Sequence, residues 1–206
     1  MLRTTRCIGL FALVCALALG TSIVIAQQGD KKMPSQEDMM KGMEEAGRVG
    51  AEHKKLAESA GTWDADVKFW MDPSAPPQTS KGTMTMEPMW DGRYMKMSFD
   101  GEMDMGGQKM PFKGMGFLGF DSARQMYWST WMDSMSTMIM LSEGKMEGDN
   151  KMVMHGENYD PMTKQMTKRR EVTTHKDKDH MSFEMFCPGP DGKEMKVMEI
   201  NYARKK

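Results

Sequence analysis

Five pairs of methionines, each spaced two residues apart, are the side chains in this sequence that most resemble metal ligands. They are Met84 with Met86, Met95 with Met97, Met103 with Met105, Met138 with Met140, and Met152 with Met154. In a β-strand, residues two apart point to the same side, so each pair would place its two sulfurs roughly 7 Å apart. Because soft thioethers select Cu(I), one hypothesis is a copper-handling protein.

The composition favours a structural role for these methionines. Beyond Ala26 the chain has 28 Met (29 minus Met1) but only 10 Leu, Ile and Val combined. A domain of this size needs more than ten large aliphatic side chains in its core. Methionine is flexible and apolar and can fill such space. We therefore predict that Met forms much of the core and that no residue is a metal ligand.

Other reactive side chains do not form a convincing catalytic set. The four histidines are His53, His155, His175 and His180. His180 is considered as an axial haem ligand, but strand alternation places it opposite Met181, Phe183 and Met185, which form the apolar face. Cys187 also falls on the face opposite His180, and the carboxylates fall in turns or on polar faces. We therefore predict no catalytic residue and no cofactor.

The N-terminus has the pattern of a signal peptide over residues 1–26. Arg3 and Arg6 precede an uncharged, mostly apolar run over residues 7–25, and the run ends at Ala26. This run is close to the ~20 residues that span a bilayer, so an uncleaved anchor is the alternative. With cleavage after Ala26, we expect an exported protein, periplasmic or secreted, that keeps no stable membrane anchor.

Charge and cysteine content limit the possible partners. Removing the two basic residues of the leader leaves 26 basic and 29 acidic residues, a net charge of −3. The basic run Lys168-Arg169-Arg170 is expected on a solvated strand face, and we predict no nucleic-acid partner. Cleavage would also leave Cys187 as the sole cysteine, which excludes an intrachain disulfide.

Two segments precede the main domain. Residues 27–48 are polar and predict a flexible linker, with a marginal helix after Ser35, where Ser35 and Asp38 resemble a capping box. Residues 50–60 predict a short helix that Gly61 ends. The domain itself is expected over residues 49–206.

From Trp63 onward, apolar residues alternate with polar ones in segments separated by turn signals every ten to twenty residues. About ten antiparallel strands in meander order follow from this pattern, with no helix long enough for a crossover. The predicted fold class is therefore all-β, a barrel or a sandwich. A closed barrel is favoured because closure removes exposed strand edges.

Several stretches resemble a known family. Leu56 to Asp64 contains Gly61-Thr62-Trp63, which is similar to the Gly-x-Trp opening of calycins, the lipocalin-like barrels. More specific stretches resemble the bacterial domain-of-unknown-function family 1579 over roughly residues 50–204. They are His53-Lys54-Lys55-Leu56, Trp70-Met71-Asp72-Pro73, Gly92-Arg93-Tyr94, Gly119-Phe120-Asp121, Ser129-Thr130-Trp131-Met132-Asp133 and Pro188-Gly189-Pro190-Asp191-Gly192-Lys193-Glu194. The resemblance implies a calycin-like barrel in which Trp63 closes one end and Arg204 lies over its ring, and it implies no reaction.

The expected barrel interior suggests a function. A barrel of about ten strands is wider than one of eight and should keep some open space. Strand alternation predicts its lining: Met84, Met86, Met95, Met97, Phe99, Phe183 and Met185. The favoured hypothesis is a non-enzymatic barrel that binds a small apolar ligand, without indicating which ligand or which oligomeric state. The alternatives are a Met-rich periplasmic protein that handles copper(I) or absorbs oxidants, and an unrecognised enzyme.

Overall fold

The computed structural model describes residues 33–105, 107–161, 163–189 and 191–206. The predicted signal peptide lies outside the described residues. Residues 36–206 form one unit of two helices followed by ten strands. Its strands are β1 (Gly61–Phe69), β2 (Gln78–Met89), β3 (Tyr94–Met105), β4 (Gln108–Asp121), β5 (Met126–Asp133), β6 (Met140–Glu147), β7 (Lys151–Asp160), β8 (Gln165–His175), β9 (His180–Pro188) and β10 (Glu194–Arg204).

The ten strands form a closed antiparallel barrel in chain order. Each strand pairs with its neighbours along the chain, and β1 pairs with both β2 and β10 to close the sheet. The predicted all-β barrel of about ten antiparallel strands is confirmed. Closure leaves no unpaired edge strand between β1 and β10, which is the advantage that favoured a barrel over a sandwich.

Alternating side chains explain why β1 lies in the barrel wall. Trp63 and Ala65 are buried inside, whereas Asp64 and Asp66 face solvent. The turn after β2 follows the predicted turn signal, because Asp91 and Gly92 both have positive φ, at 60° and 82°. Such left-handed backbone suits Gly and is tolerated by Asp.

Both helices precede the barrel. Helix α1 (Gln36–Gly47) buries no residue and occupies the part of the predicted linker where a marginal helix was expected. Helix α2 (Ala51–Ala57) buries His53 and Leu56, and Leu56 belongs to the core of the barrel. In the described part of the chain, no helix has both the length and the apolar character required to cross a membrane.

Methionine is a main component of the core. Among the described residues, fourteen form the buried apolar cluster, and six of these are methionines: Met84, Met86, Met95, Met152, Met154 and Met181. Thioether side chains therefore take positions that Leu, Ile and Val occupy in most cores. This confirms the prediction that Met supplies much of the core.

Candidate ligand-binding interior

Trp63 and Arg204 together close one end of the barrel. The Trp63 ring is 1 % exposed, and the guanidinium carbon of Arg204 lies 4.0 Å from its centroid. The indole N–H donates to the carbonyl of Ser59 at 3.0 Å, and Arg204 donates to the carbonyls of Ala60 and Glu58. Both side chains thus fix the segment between α2 and β1 across the barrel end.

Gly61 completes this arrangement. Its φ is +130°, a conformation that L-residues with side chains rarely adopt. A Cβ atom at this position would also lie 2.8 Å from Nη1 of Arg204. The Gly-x-Trp spacing therefore has a local reason, because Gly61 leaves room for the guanidinium that covers Trp63.

The seven predicted lining residues divide into two groups. Met84, Met86, Met95 and Phe99 lie on β2 and β3 and are at most 9 % exposed. Met97, Phe183 and Met185 are partly exposed. Strand pairing places Met84 opposite Phe99 and Met86 opposite Met97, so the β2 and β3 residues form one continuous patch. Phe183 and Met185 lie on β9, on the other side of β1 and β10.

Burial changes along the barrel. Near α2, the inward side chains of Trp63, Tyr127 and Met181 are at most 3 % exposed. Toward the opposite end, several inward apolar side chains are partly exposed: Phe112, Trp131, Met140, Met185, Met198 and, beyond the register shift between Lys196 and Met198, Met195. Most inward apolar side chains near α2 are therefore better buried than those toward the opposite end, which we call the open end; Phe120 and Met146 near α2 are partly exposed exceptions.

Trp131 occupies interior space that β4 leaves free. A Cβ atom at Gly114 would lie 2.1 Å from the Trp131 ring, and one at Gly116 would lie 3.2 Å from it. The indole therefore lies flat against the backbone of two glycines. This close approach lets a large ring lie against the inner wall.

A buried ion pair on β8 was not predicted. The Arg169 and Glu171 side chains are 3 % and 8 % exposed, and their Nε and Oε1 atoms are 2.5 Å apart. The expectation that residues 168–170 share a solvated face is wrong for Arg169, and the expectation that every carboxylate is in a turn or on a polar face is wrong for Glu171. Alternation explains the error, because Lys168, Arg169 and Arg170 in one strand cannot all point outward.

Polar groups from β6 and β7 surround this pair. Nη2 of Arg169 donates to the carbonyl of Leu141 at 2.9 Å and to Oγ of Ser142 at 2.8 Å, and Nη1 donates to Asn158. Ser142 Oγ donates in turn to Oε1 of Glu171 at 2.9 Å. These contacts offset much of the desolvation penalty of a buried ion pair. We call Ser142, Asn158, Arg169 and Glu171 the polar cluster.

The histidines do not converge on the polar cluster. His53 lies on the buried face of α2, where its ring contacts Phe120, and His155 is exposed. His180 is exposed and bonds Asp177 at 3.0 Å. Burial, followed by the charge of Lys55, lowers the pKa of His175.

Cys187 and the acidic side chains add no reactive centre. Burial raises the pKa of the Cys187 thiol, which keeps the thiol protonated and weakly nucleophilic at neutral pH. Within the described ranges, no group of three or more His, Cys, Asp or Glu side chains is arranged to hold a metal ion.

Two pockets formed by described residues lie outside the predicted lining. One, of about 290 Å³, is lined by Glu52, Lys55, Phe120, Gln125, Tyr127, Lys145, Met146, Gly148 and Asp149. The other, of about 310 Å³, is lined by Asp66, Lys176, Asp177, His180, Met181, Asn201, Tyr202 and Ala203. In the first, the Tyr127 hydroxyl donates to Glu52, and burial followed by Glu52 raises the Tyr127 pKa. That hydroxyl therefore connects β5 to α2 and remains protonated at neutral pH.

Comparison with known proteins gives a family and a fold. The profile of the family described as "Protein of unknown function (DUF1579)" matches residues 48–204. The crystal structure of Rv2717c from M. tuberculosis has a TM-score of 0.57 at 10 % identity, covering 77 % of this chain and 100 % of that one. This likeness concerns the fold alone.

Two further structures resemble the barrel more weakly. A redesigned beta barrel, b11L5F_LGL, has a TM-score of 0.39 at 14 % identity, covering 73 % of this chain and 95 % of that one. EF1p2_mFAP2b bound to DFHBI has a TM-score of 0.42 at 12 % identity, covering 74 % of this chain and 98 % of that one. The comparison with curated proteins found no match.

Proposed function

This chain belongs to the DUF1579 family of proteins of unknown function, and we propose that it is an exported, non-enzymatic barrel that binds a small apolar ligand through its open end. The observation that carries the proposal is the difference in burial along the barrel axis. Trp63 is 1 % exposed at the closed end, whereas inward-facing Phe112, Met185 and Met198 are partly exposed toward the other end. Partly solvated apolar side chains inside a concave wall are a favourable surface for an apolar ligand.

Methionine in this wall supports broad rather than narrow selectivity. Its unbranched side chain has three rotatable bonds and adapts to different shapes. Met185 and Met198 are register partners on β9 and β10, and both are partly exposed. Ligand entry would therefore require side-chain rotation rather than movement of the strands.

Titration with Nile red, a neutral fluorescent apolar dye, tests this proposal. We expect saturable binding to the wild-type protein. Met185→Glu, which adds a charge to the inner wall, should weaken binding at least about tenfold. The matched control is Met115→Glu on β4, because Met115 is 38 % exposed and lies on the outer face. That control should bind as the wild type does.

Two results would contradict the proposal. One is the absence of saturable Nile red binding to the folded wild-type protein. The other is an equal loss of binding in Met185→Glu and Met115→Glu. Circular dichroism on both variants separates a lost site from a lost fold, and Met185→Ala provides a milder inner variant that should still change the dye affinity.

Export needs its own measurement. Cleavage after Ala26 predicts a mature chain that begins at Gln27. Intact mass spectrometry on protein recovered from outside the cytoplasm should give the mass of residues 27–206. A mass that includes the whole leader would instead favour an uncleaved anchor.

Solvent-exposed methionine supports oxidant absorption as a second candidate function. Eight methionines in the described part of the chain are 38 % exposed or more: Met33, Met39, Met40, Met43, Met71, Met115, Met135 and Met166. Oxidation to the sulfoxide is reversible and is fastest at accessible sulfurs. Peptide mapping after peroxide treatment should find these eight oxidised before buried Met84 and Met95. Equal oxidation of buried and exposed methionines in folded protein would contradict this function.

A further inference from the structure

We infer that the polar cluster selects a neutral ligand whose polar end donates a hydrogen bond, such as a long-chain alcohol, over a fatty-acid anion. This inference rests on the proposed function, because it concerns the polar end of the apolar ligand. It starts from Glu171, a carboxylate that is more than nine-tenths buried in a wall composed largely of apolar side chains.

Glu171 lies on the inner face of the barrel. Its register partners are Met154 on β7, which belongs to the buried core, and Met185 on β9, which is partly exposed. Arg170, the preceding residue, points outward and bonds Glu194 at 2.8 Å. A ligand that contacts Met185 would therefore lie beside Glu171, whose carboxylate extends across the inner wall toward Ser142 on β6.

One oxygen of this carboxylate remains available. The hydrogen bonds that Glu171 accepts from Arg169 and Ser142 both end on Oε1. No fully enclosed side-chain oxygen in the described ranges lacks a partner. Oε2 receives no hydrogen bond from the described residues, so it is not completely enclosed. A strong acceptor on a mostly apolar inner face thus keeps unused capacity.

The charge of the polar cluster determines which polar group of a ligand can bind at Oε2 of Glu171. Arg169 and Glu171 have opposite charges 2.5 Å apart, so the pair is neutral overall. The guanidinium donates to Glu171, Leu141, Ser142 and Asn158, which leaves little donor capacity for a ligand anion. A carboxylate ligand would meet the like charge of Glu171 in a low-dielectric space. A hydroxyl would instead donate to Oε2 and satisfy it.

Three twelve-carbon probes that differ at one end test this inference by displacement of Nile red from the full-length mature protein. They are dodecanol, which donates a hydrogen bond, dodecyl methyl ether, which cannot, and dodecanoate, which is ionised at about pH 8. For the wild type we expect dodecanol to bind about tenfold tighter than the ether, because a hydrogen bond to a charged group has roughly that effect. Dodecanoate should bind weakest of the three.

Glu171→Gln should reverse the order. This variant leaves the Arg169 charge uncompensated, so dodecanoate should bind at least about tenfold tighter than it does to the wild type. The matched control is Glu157→Gln on the outer face of neighbouring β7, where Glu157 is 50 % exposed and pairs with Lys168. The control should keep the wild-type order.

A double variant covers the case in which Glu171→Gln fails to fold. Arg169→Met with Glu171→Met removes both charges together and places two flexible apolar side chains in an apolar interior. Dodecanol and dodecyl methyl ether should then bind equally well. The wild-type probe series needs no variant at all.

The outcomes separate this inference from the proposed function. If neither Nile red nor any of the three probes binds, the proposed function itself fails. If all three bind the wild type with equal affinity, the apolar site stands and the role of the polar cluster is overturned. Tighter binding of dodecanoate than of dodecanol to the wild type would also overturn it.

Discussion

Arg204 covers the Trp63 ring at 4.0 Å and at the same time bonds the backbone that enters β1. The two residues are register partners on the strands that close the barrel. One side chain therefore connects the last strand, the first strand and the segment after α2. Loss of this contact should affect the closed end as a whole.

Arg204→Ala should lower the free energy of unfolding by about 2–4 kcal/mol. A cation–π contact contributes about 0.5–2 kcal/mol, and the carbonyls of Ala60 and Glu58 lose their donor. Urea denaturation measures the change. Arg124→Ala is the control, because Arg124 is 51 % exposed and its ion pairs with Asp121 and Glu143 should contribute less than about 1 kcal/mol. Equal losses in both variants would contradict a special role for Arg204.

Gly61→Ala should destabilise the protein for two separable reasons. The backbone φ of +130° is strained for any residue with a side chain, at about 1–3 kcal/mol, and the new Cβ would lie 2.8 Å from the Arg204 guanidinium. Gly92→Ala is the matched control, because Gly92 also has positive φ but no atom within 4 Å of its Cβ position. The Gly61 variant should therefore lose more stability than the Gly92 variant.

A double-mutant cycle isolates the contact between Gly61 and Arg204. In an Arg204→Ala background, the clash is absent, so Gly61→Ala should destabilise less than it does in the wild type. Strictly additive effects would show that backbone strain alone requires glycine at this position.

Buried methionines should tolerate leucine. Met84 and Met86 are 4 % and 9 % exposed and pack in the apolar cluster. Met84→Leu and Met86→Leu should each lower the free energy of unfolding by less than about 1.5 kcal/mol, because the volume is nearly conserved. Met40→Leu on α1 is the control, since Met40 is 63 % exposed and should change stability little. If the Met84 and Met86 changes abolished a tight Cu(I) affinity of the wild type, copper handling would become the better function.

Alternation along the sequence was sufficient to predict the strands and the inner positions of Trp63, Met84 and Met181. These positions follow from local chemistry, since an apolar residue at every second place defines one face. The same rule applied to β8 would have placed Arg169 and Glu171 inside, but their charges suggested a solvated face. The partners that make their burial tolerable, Ser142 and Asn158, come from β6 and β7 and become neighbours only when these strands pair with β8 in the sheet.

The shape of the inner wall was equally hidden in the sequence. Trp131 fits the interior because Gly114 and Gly116 lie beneath its ring, a cross-strand match that depends on the register of β4 and β5. Glycines in a strand signal a close approach in general terms, without saying which side chain makes it. The accessible end of the barrel thus results from pairings between strands rather than from any single motif.

A hydrogen-bonded cluster around Glu199 on the outer wall should make the stability of the barrel depend on pH under acidic conditions. Glu199 accepts hydrogen bonds from Lys196 at 2.7 Å, from Lys68 at 3.1 Å and from Asn201 at 3.1 Å. These bonds, that from Lys196 first, lower the pKa of Glu199 from 4.5 to about 2. Lys196 also donates a hydrogen bond to Glu184 on β9 at 2.7 Å. The cluster therefore joins β9, β10 and β1.

Because the pKa of Glu199 is lower in the folded state, its contribution to stability is fully present above pH 4.5 and is lost as the pH falls toward about 2. At neutral pH, Glu199→Gln should lower the free energy of unfolding by about 1–2 kcal/mol. This loss is smaller than the full pKa shift of Glu199 implies, because Lys68 and Lys196 are 44 % and 33 % exposed and solvent screens their charges.

Urea denaturation of wild type and Glu199→Gln at a series of pH values measures this effect. The difference in their free energies of unfolding should shrink below pH 4.5. Glu102→Gln, whose ion pair with Lys109 is exposed, serves as the control and should show little difference at any pH. A Glu199→Gln difference that stays constant down to about pH 2 would mean that packing, rather than the charge of Glu199, stabilises this part of the wall.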